Sequence, residues 1–413
     1  MNLAEELEWR GFVGQFSADS LAVIINNEKR MVYHGIDPTA DSAHVGNFII
    51  WLLLKHLVND GHKVMFLVGG GTGLIGDPKP DKERTLSSQV EVAMRVEKIK
   101  KQAETILGAG SITFIDNYDW LSSLSLLEFL RDIGKHFTVN ELIKKDAIAK
   151  RLASQTGLSY TEFAYPLLQA YDYLTLYRQY GCTLQVGGGD QWGNMVSGID
   201  LIRRVEKAEV HVLTVPLIVD KSTGKKFGKS EGNAVWLDAE KTSPFAFYQF
   251  WLNVPDTDVI DYLKLFTFLE PEQIAEIEAT LLASPGLREA QKLLAKEVTK
   301  LVHGDGLGNN VEKATSCLFG EVSMAELSTE EKTILLTNAP TTALNNGTLL
   351  VEALVASELA SSKREARTFI ESGAVAINGE KVIDLSYALD KNQNGDLVHL
   401  KRGKKNVSLL TLK

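Results

Sequence analysis

Between Met31 and Val68 the chain has room for one arrangement, a strand, a helix and a second strand. Met31-Val32-Tyr33 reads as a short strand, Phe48 to Val58 (F-I-I-W-L-L-L-K-H-L-V) as a helix apolar on nearly every side, and Val64 to Val68 as a buried strand. Strands joined by a helical crossover run parallel, and a helix hydrophobic all round must lie between layers. Such crossovers are right-handed in nearly every case, so a parallel sheet covered on both faces is expected. The turn inside this unit, Y-H-G-I-D-P-T-A-D-S-A-H-V-G-N from Tyr33 to Asn47, bends at Gly35 and Pro38 and opens the helix with His44, Gly46 and Asn47. A helix N-terminus presents unpaired N–H groups and the positive end of its dipole, so this turn is a seat for phosphate. Short glycine turns are also common as plain structure, and other segments must decide.

Three further segments carry polar chemistry at strand ends. After Val64–Val68 comes G-G-G-T-G-L-I-G-D-P, Gly69 to Pro78, where dense glycines would let the backbone approach a ligand closely. Lys79, Lys82 and Arg84 follow as a basic loop suited to phosphates. The strand Thr183–Val186 runs into G-G-G-D-Q-W-G-N, Gly187 to Asn194, whose acid and amide suit ribose hydroxyls. A strand over Val210–Val219 leads to K-S-T-G-K-K-F-G-K-S, Lys221 to Ser230, in which Lys225, Lys226 and Lys229 are mobile point charges for a triphosphate. Between them a helix over Ser159–Tyr177 carries Tyr165, Gln169 and Asp172 at i, i+4 and i+7, so one face holds a phenol, an amide and a carboxylate where apolar residues would be expected. Loops at the carboxyl ends of parallel strands share one rim, and these segments should meet there. No Ser-His-Asp or Cys-His pairing and no metal-ligand cluster is apparent, which leaves positioning and charge stabilisation of a nucleotide reaction.

The rest of the chain reads as separate modules. Residues 88–160, mostly helical with one strand over Ile112–Ile115, are too long for a simple crossover and read as an insertion. From Ser243 to Cys317 the period is helical, and 337–347 (T-N-A-P-T-T-A-L-N-N-G) has the composition of a linker. Beyond it come a helix over Leu349–Leu359, a second over Lys363–Ser372 capped by Ser361 or Ser362, and a hairpin turning at Asn378-Gly379. Lys363, Arg364 and Arg367 mark the outer side of the second helix, and Lys401, Arg402, Lys404 and Lys405 form another basic cluster. Net charge is −9, but residues 361–413 hold ten Lys/Arg against six Asp/Glu, which is +4 and leaves −13 elsewhere. Indiscriminate coating of nucleic acid is excluded, and any polyanion must bind a local patch. The longest apolar run, Phe48–Leu54, is far short of the roughly 20 residues that span a bilayer. The acidic N-terminus has no targeting pattern, and two cysteines without C-x-x-C suggest neither disulfides nor zinc, so the cytosol is the expected compartment.

Taken in order, Y-H-G-I-D-P-T-A-D-S-A-H-V-G-N, L-V-G-G-G-T-G-L-I-G-D-P, L-Q-A-Y-D-Y, G-G-G-D-Q-W-G-N and K-F-G-K-S resemble the bacterial tyrosyl-tRNA synthetases, a class I aminoacyl-tRNA synthetase family. The likeness runs over essentially the whole chain, and residues 349–383 are similar to an S4-type RNA-binding module. It implies a Rossmann-like, doubly wound α/β catalytic domain over 1–230, an all-helical domain facing the anticodon stem over 231–336, and a small α+β S4-like domain over 348–413. It implies activation of L-tyrosine by ATP, with Mg2+ carried on the nucleotide and no protein-held metal, then transfer to tRNA(Tyr). By the same likeness Tyr33 and Asp172 take the phenolic hydroxyl, Asp77, Tyr165 and Gln169 the ammonium, and Gln191 the carboxylate. Gly35, Asp37, His44, Asn47, Asp190, Lys226 and Lys229 would hold ATP. Thr39 and His44, with Lys82, Arg84, Lys226 and Lys229, would stabilise the reacting phosphate. Lys363, Arg364 and Arg367 would meet RNA, and the 117–150 insertion would join two copies into a homodimer. Asn47 stands where the family more often has a second His, and the basic loop is one residue short, so either Lys79 or Lys82 fills the lysine role. Two rivals share these motifs: a tryptophanyl-tRNA synthetase, and a silent paralogue that only binds RNA.

Overall fold

The computed structural model describes residues 1–78, 85–153, 157–219, 227–230, 233–403 and 406–413, with backbone alone at 229, 230 and 233. The chain forms two compact units, Met1–Thr242 with Val254–Leu294, and Ser243–Asn253 with Ala295–Lys413. This division falls at neither the 230/231 nor the 336/337 boundary expected from the sequence. No helix among the described residues is long and apolar enough to cross a membrane.

The first unit is built on five parallel strands, β1 (Met31–Ile36), β2 (Lys63–Val68), β3 (Ile112–Asp116), β4 (Cys182–Gly188) and β5 (His211–Val215), in the order β3-β2-β1-β4-β5. This is the Rossmann-like, doubly wound sheet. Strand order reverses between β1 and β4, which opens a crevice at their carboxyl ends. Register places Tyr33 on β1 opposite Met65 on β2 and Gln185 on β4. The apolar helix, Val45–Asn59, buries Phe48, Trp51, Leu53 and Leu54 completely. Each such side chain contributes about 1.5–3 kcal/mol of burial, which fixes the helix and hence the turn before it. On one face of the sheet, helix Tyr160–Tyr180 and helix Trp192–Glu206 share a core in which Tyr33, Tyr173, Leu174, Met195 and Leu201 pack together. Strand β5 ends at Val215 rather than Val219, because Pro216 has no N–H for a ladder. Residues 216–218 are thereby released into the crevice wall.

The second unit contains helix Pro244–Leu252, helix Asp305–Phe319 and a mixed sheet. The sheet comprises β8 (Thr341–Leu344), β9 (Val375–Ile377), β10 (Glu380–Lys381), β11 (Leu397–Arg402) and β12 (Asn406–Leu412); β6 and β7 are a two-stranded hairpin of the first unit, Lys229–Ser230 and Asn233–Ala234. The stretch read as a linker therefore carries a strand, since β8 pairs in parallel with β12. The hairpin turn is as expected, with Asn378 at φ 49° and Gly379 at φ 92°, the two left-handed residues that a tight hairpin needs. Ser362 caps helix Lys363–Glu371 by accepting from the Glu365 N–H. Ala366 and Ile370 on that helix are buried with Val375, Val398 and Leu410, while Lys363, Arg364 and Arg367 are exposed.

Candidate active site

The crevice encloses about 340 Å³ and is lined by β1, the start of helix Val45–Asn59, helix Tyr160–Tyr180, the end of β4 and the loop after β5. Its deep end is a pair of groups with unequal hydrogen bonding. Tyr33 is 1% exposed, and its hydroxyl has no partner among the described residues. Asp172 is 3% exposed and accepts from Trp120 Nε1 at 2.8 Å and from Asn117 Nδ2 at 2.9 Å. Burial pushes the Asp172 carboxyl up to about 7, against the pull of those two donors. Burial, and next the Asp172 charge, hold the Tyr33 phenol protonated. A buried hydroxyl left unpaired beside a carboxyl group costs about 1–3 kcal/mol, so a ligand with a hydroxyl at this point recovers it.

The deep end is held by a chain of hydrogen bonds that sequence reading missed. Asn117 Nδ2 also donates to Thr72 Oγ1 at 2.9 Å, Thr72 Oγ1 donates to Asp37 at 2.7 Å, and the Tyr165 hydroxyl donates to Asp37 at 2.8 Å. Asp37, expected at the nucleotide, therefore braces Tyr165 with one oxygen and Thr72 with the other. Asn117 and Trp120 follow the carboxyl end of β3, the same rim that pointed to the other loops, and that position was the available signal. The glycine run 69–71 also has a different use from the one expected. The amides of Gly70 and Gly71 bond to Asp116 and Asn117, at 3.0 and 2.8 Å. A Cβ on Gly69 would lie 2.2 Å from Asp37, so glycine here makes room for a carboxylate of the protein itself. Only Thr72 and Asp77 of this segment reach the crevice.

Asp77 and Gln169 line the middle of the crevice with Tyr165. Asp77 accepts from Gln191 Nε2 and from Asn194 Nδ2, each at 3.0 Å. Two side-chain amides thus orient a carboxylate that Tyr165 and Gln169 approach from the helix. At the outer end lie Gly35, His44, Asn47 and Asp190. His44 is the N-cap of its helix, and its backbone N–H donates to Asn47 Oδ1 at 3.2 Å. The Val45 N–H, counted among the donors for phosphate, is given to the Val235 carbonyl at 2.9 Å. Thr39 is exposed and is not part of the crevice wall. Lys79, Lys82, Arg84 and Lys226 lie outside the described residues, as does the side chain of Lys229; Lys404 and Lys405 also lie outside them. Two further polar wall residues, His34 and Gln185, were not foreseen. His34 Nδ1 lies 3.2 Å from the Val186 carbonyl, its Nε2 is buried with no partner among the described residues, and burial lowers its pKa to about 4. Gln185 Oε1 is likewise buried and unpartnered.

A crevice at a strand-order reversal, with an acid-phenol pair at one end and a helix N-terminus at the other, has room for an amino acid and a nucleotide in line. Comparison with known proteins agrees. The family model for tRNA synthetases class I (W and Y) matches residues 26–320, and the Tyrosine--tRNA ligase SYY-like C-terminal domain matches 330–410. A tyrosine–tRNA ligase of Streptococcus suis is 47% identical over 421 aligned positions, covering 100% of both chains. The C-terminally truncated mitochondrial tyrosyl-tRNA synthetase of Aspergillus nidulans superposes with TM-score 0.70 at 30% identity, over 77% of this chain and 94% of that one. A tryptophanyl-tRNA synthetase of Encephalitozoon cuniculi, solved with tryptophan, shares the fold alone, with TM-score 0.56 at 17% identity over 75% of this chain and 91% of that one. By sequence, fold and crevice, the chain belongs to the class I tRNA synthetases of the tryptophan and tyrosine branch.

Proposed function

We propose that the protein is a tyrosine–tRNA ligase, which joins L-tyrosine to ATP as tyrosyl-adenylate with release of pyrophosphate and then transfers the tyrosyl group to tRNA(Tyr). The observation that carries this reading is the orphaned Tyr33 hydroxyl beside Asp172. A tyrosine ring entering there gives its hydroxyl to Asp172 and accepts from Tyr33. Phenylalanine would leave both buried groups unpaired, and tyrosyl-tRNA synthetases are the known case of this discrimination. Tryptophan has an indole N–H to give Asp172 but no acceptor for the Tyr33 hydroxyl, so it leaves one of the two groups unpaired.

With the ring at the deep end, the ammonium falls to Asp77, Tyr165 and Gln169, and Asp77 is already oriented by Gln191 and Asn194. The carboxylate lies toward Gln191 and attacks the α-phosphate of MgATP. His44 at the helix N-terminus takes the developing charge on that phosphate, with Gly35 and Asp190 at the ribose. Thr39, Lys82, Arg84, Lys226 and Lys229 remain assigned to the phosphates by family likeness. The exposed Lys363, Arg364 and Arg367 serve as an RNA-facing patch. A homodimer through the 117–150 insertion is supported by its exposed leucines, Leu126 at 69% and Leu127 at 78%. The deciding measurement is ATP–pyrophosphate exchange with each amino acid in turn. Tyrosine alone should support it, and exchange with tryptophan, or with no amino acid at all, would overturn the assignment.

A further inference from the structure

The signature histidine is held from outside the signature. Its ring lies back over Gly46, so closely that a Cβ there would sit 2.8 Å from His44 Cε1. On another side is the indole of Trp236, centroid to centroid 6.0 Å at 55°. The backbones of His44 and Trp236 form an antiparallel bridge, flanked by Val45 N–H to Val235 O and Leu237 N–H to Ala43 O, both 2.9 Å. This is the chain that leaves the β6–β7 hairpin, whose Gly228 backs onto the Val45–Gly46 peptide.

Trp236 is itself anchored. Its backbone N–H donates to Thr242 Oγ1 at 3.0 Å, and Lys241 Nζ stands 5.1 Å over its ring. Lys241 also pairs with Asp41 at 2.6 Å, and Lys98 meets the other oxygen of Asp41 at 3.1 Å. Asp41 lies three residues before His44, so one ion-pair cluster ties together both walls of the imidazole. We propose that Trp236 is a positioning residue for the activation step, fixing the His44 imidazole against Gly46 in the orientation that meets the reacting phosphate. The inference rests on the assignment of His44 to that phosphate. Trp236 is not part of the crevice wall, whereas His44 is, so its effect on the reaction would pass through His44. Lys241 and Asp41 hold the indole in place.

The distinguishing experiment is tyrosine-dependent pyrophosphate exchange on four proteins: the natural chain, Trp236→Leu, His44→Ala and the double variant. Leucine keeps apolar bulk at this half-buried position and removes the ring. Trp236→Leu should lower kcat about 10- to 100-fold, the scale of a misplacement near an ångström, with tyrosine KM moving less than about twofold. On the His44→Ala background the same change should cost less than about threefold, because a group that acts through His44 has nothing left to position. Trp236→Phe should restore most of the rate. Equal losses on both backgrounds, or a leucine variant of normal kcat, overturn the proposal. A His44→Ala protein of undiminished rate overturns the assignment of His44 first, and the positioning role falls with it, so the two failures are told apart by a single variant. Should Trp236→Leu fold poorly, Lys241→Met, which removes the cation that holds the indole, carries the same cycle. Additivity of Lys241→Met with His44→Ala also counts against the proposal.

Discussion

The crevice of the first unit and the sheet of the second treat polar groups in opposite ways. In the crevice Tyr33, His34 and Gln185 each bury a polar atom with no partner among the described residues, all on β1 and β4. In the second unit the polar side chains buried in the sheet are bonded: His399 Nε2 meets the Leu318 carbonyl at 2.8 Å, and Ser408 donates to the Pro340 carbonyl at 3.3 Å. Its basic residues stay outside, as Lys363, Arg364 and Arg367 do. A site that discriminates a small molecule stores unmet hydrogen bonds in a dry place, where each wrong ligand costs energy. A surface that meets a polyanion stores charge in water, where each contact is weak and salt decides the sum. The two regions should therefore respond to mutation on different scales.

The largest effect belongs to Asp172→Ala. Removing the acceptor takes away the reason to prefer a hydroxyl, and kcat/KM for tyrosine activation should fall by about 3 kcal/mol or more, over a hundredfold. Phenylalanine activation should rise relative to tyrosine. An unchanged tyrosine-to-phenylalanine ratio in pyrophosphate exchange would erase the contrast. Next come the groups that hold Asp172. Asn117→Ala breaks the bonds to both Asp172 and Thr72 and should cost about 1–2 kcal/mol, read as a rise in tyrosine KM with ATP KM nearly constant. Equal rises in both constants would mean a general loss of structure.

A pH effect of smaller size follows from the same carboxyl. The folded pKa of Asp172 is raised to about 7 from 3.8, so the free protein binds the proton that the unfolded chain has released. Its contribution to stability is full below pH 3.8 and is lost as pH rises through about 7. Tyrosine affinity runs the other way. Asn117 and Trp120 both donate to this group, so the ionised form fits its surroundings and, under the proposed assignment, is the form that would accept the substrate hydroxyl. Tyrosine KM should fall up to about tenfold from about pH 6 to about pH 8 and then level off. Asp172→Asn should flatten both slopes, and a persisting KM slope in that variant would assign the titration elsewhere.

These unequal scales also explain what could be read in advance. The parallel sheet was legible because a helix apolar on all sides has few places to go, and the polar face of Tyr165, Gln169 and Asp172 because helical spacing is local. The partners of Asp172 were not legible. Asn117 and Trp120 lie 55 and 52 residues away in sequence and meet it only through the order of strands. Glycines 69 and 70 misled because a glycine that admits phosphate and one that admits Asp37 or Asp116 are the same letter. Residues 341–344 looked like linker because Thr-Thr-Ala-Leu is too short to show a period, and only pairing with β12 makes it a strand.

The smallest effect belongs to the basic patch, and how it is tested matters. Cutting the chain at 348 would remove β12 and leave Thr341–Leu344 unpaired. It would also strip His399 and Lys401 from the Leu318 and Phe319 carbonyls at the end of helix Asp305–Phe319. The effect of removing charge could not then be told from that of removing the fold. Substituting Lys363, Arg364 and Arg367 together by alanine avoids this, since all three are exposed and Ala366 and Ile370 keep the helix on its core. Lys363 gives up one exposed pair with Glu352, worth about 0–1 kcal/mol, so melting should barely move. If the patch meets RNA backbone, tRNA KM should rise several-fold at moderate salt, and its dependence on log salt should flatten by about one unit for each phosphate that is no longer neutralised. Tyrosine-dependent pyrophosphate exchange should stay as it was. A triple variant with an unaltered salt slope would leave the basic face as solvated surface and move RNA binding to another part of the second unit.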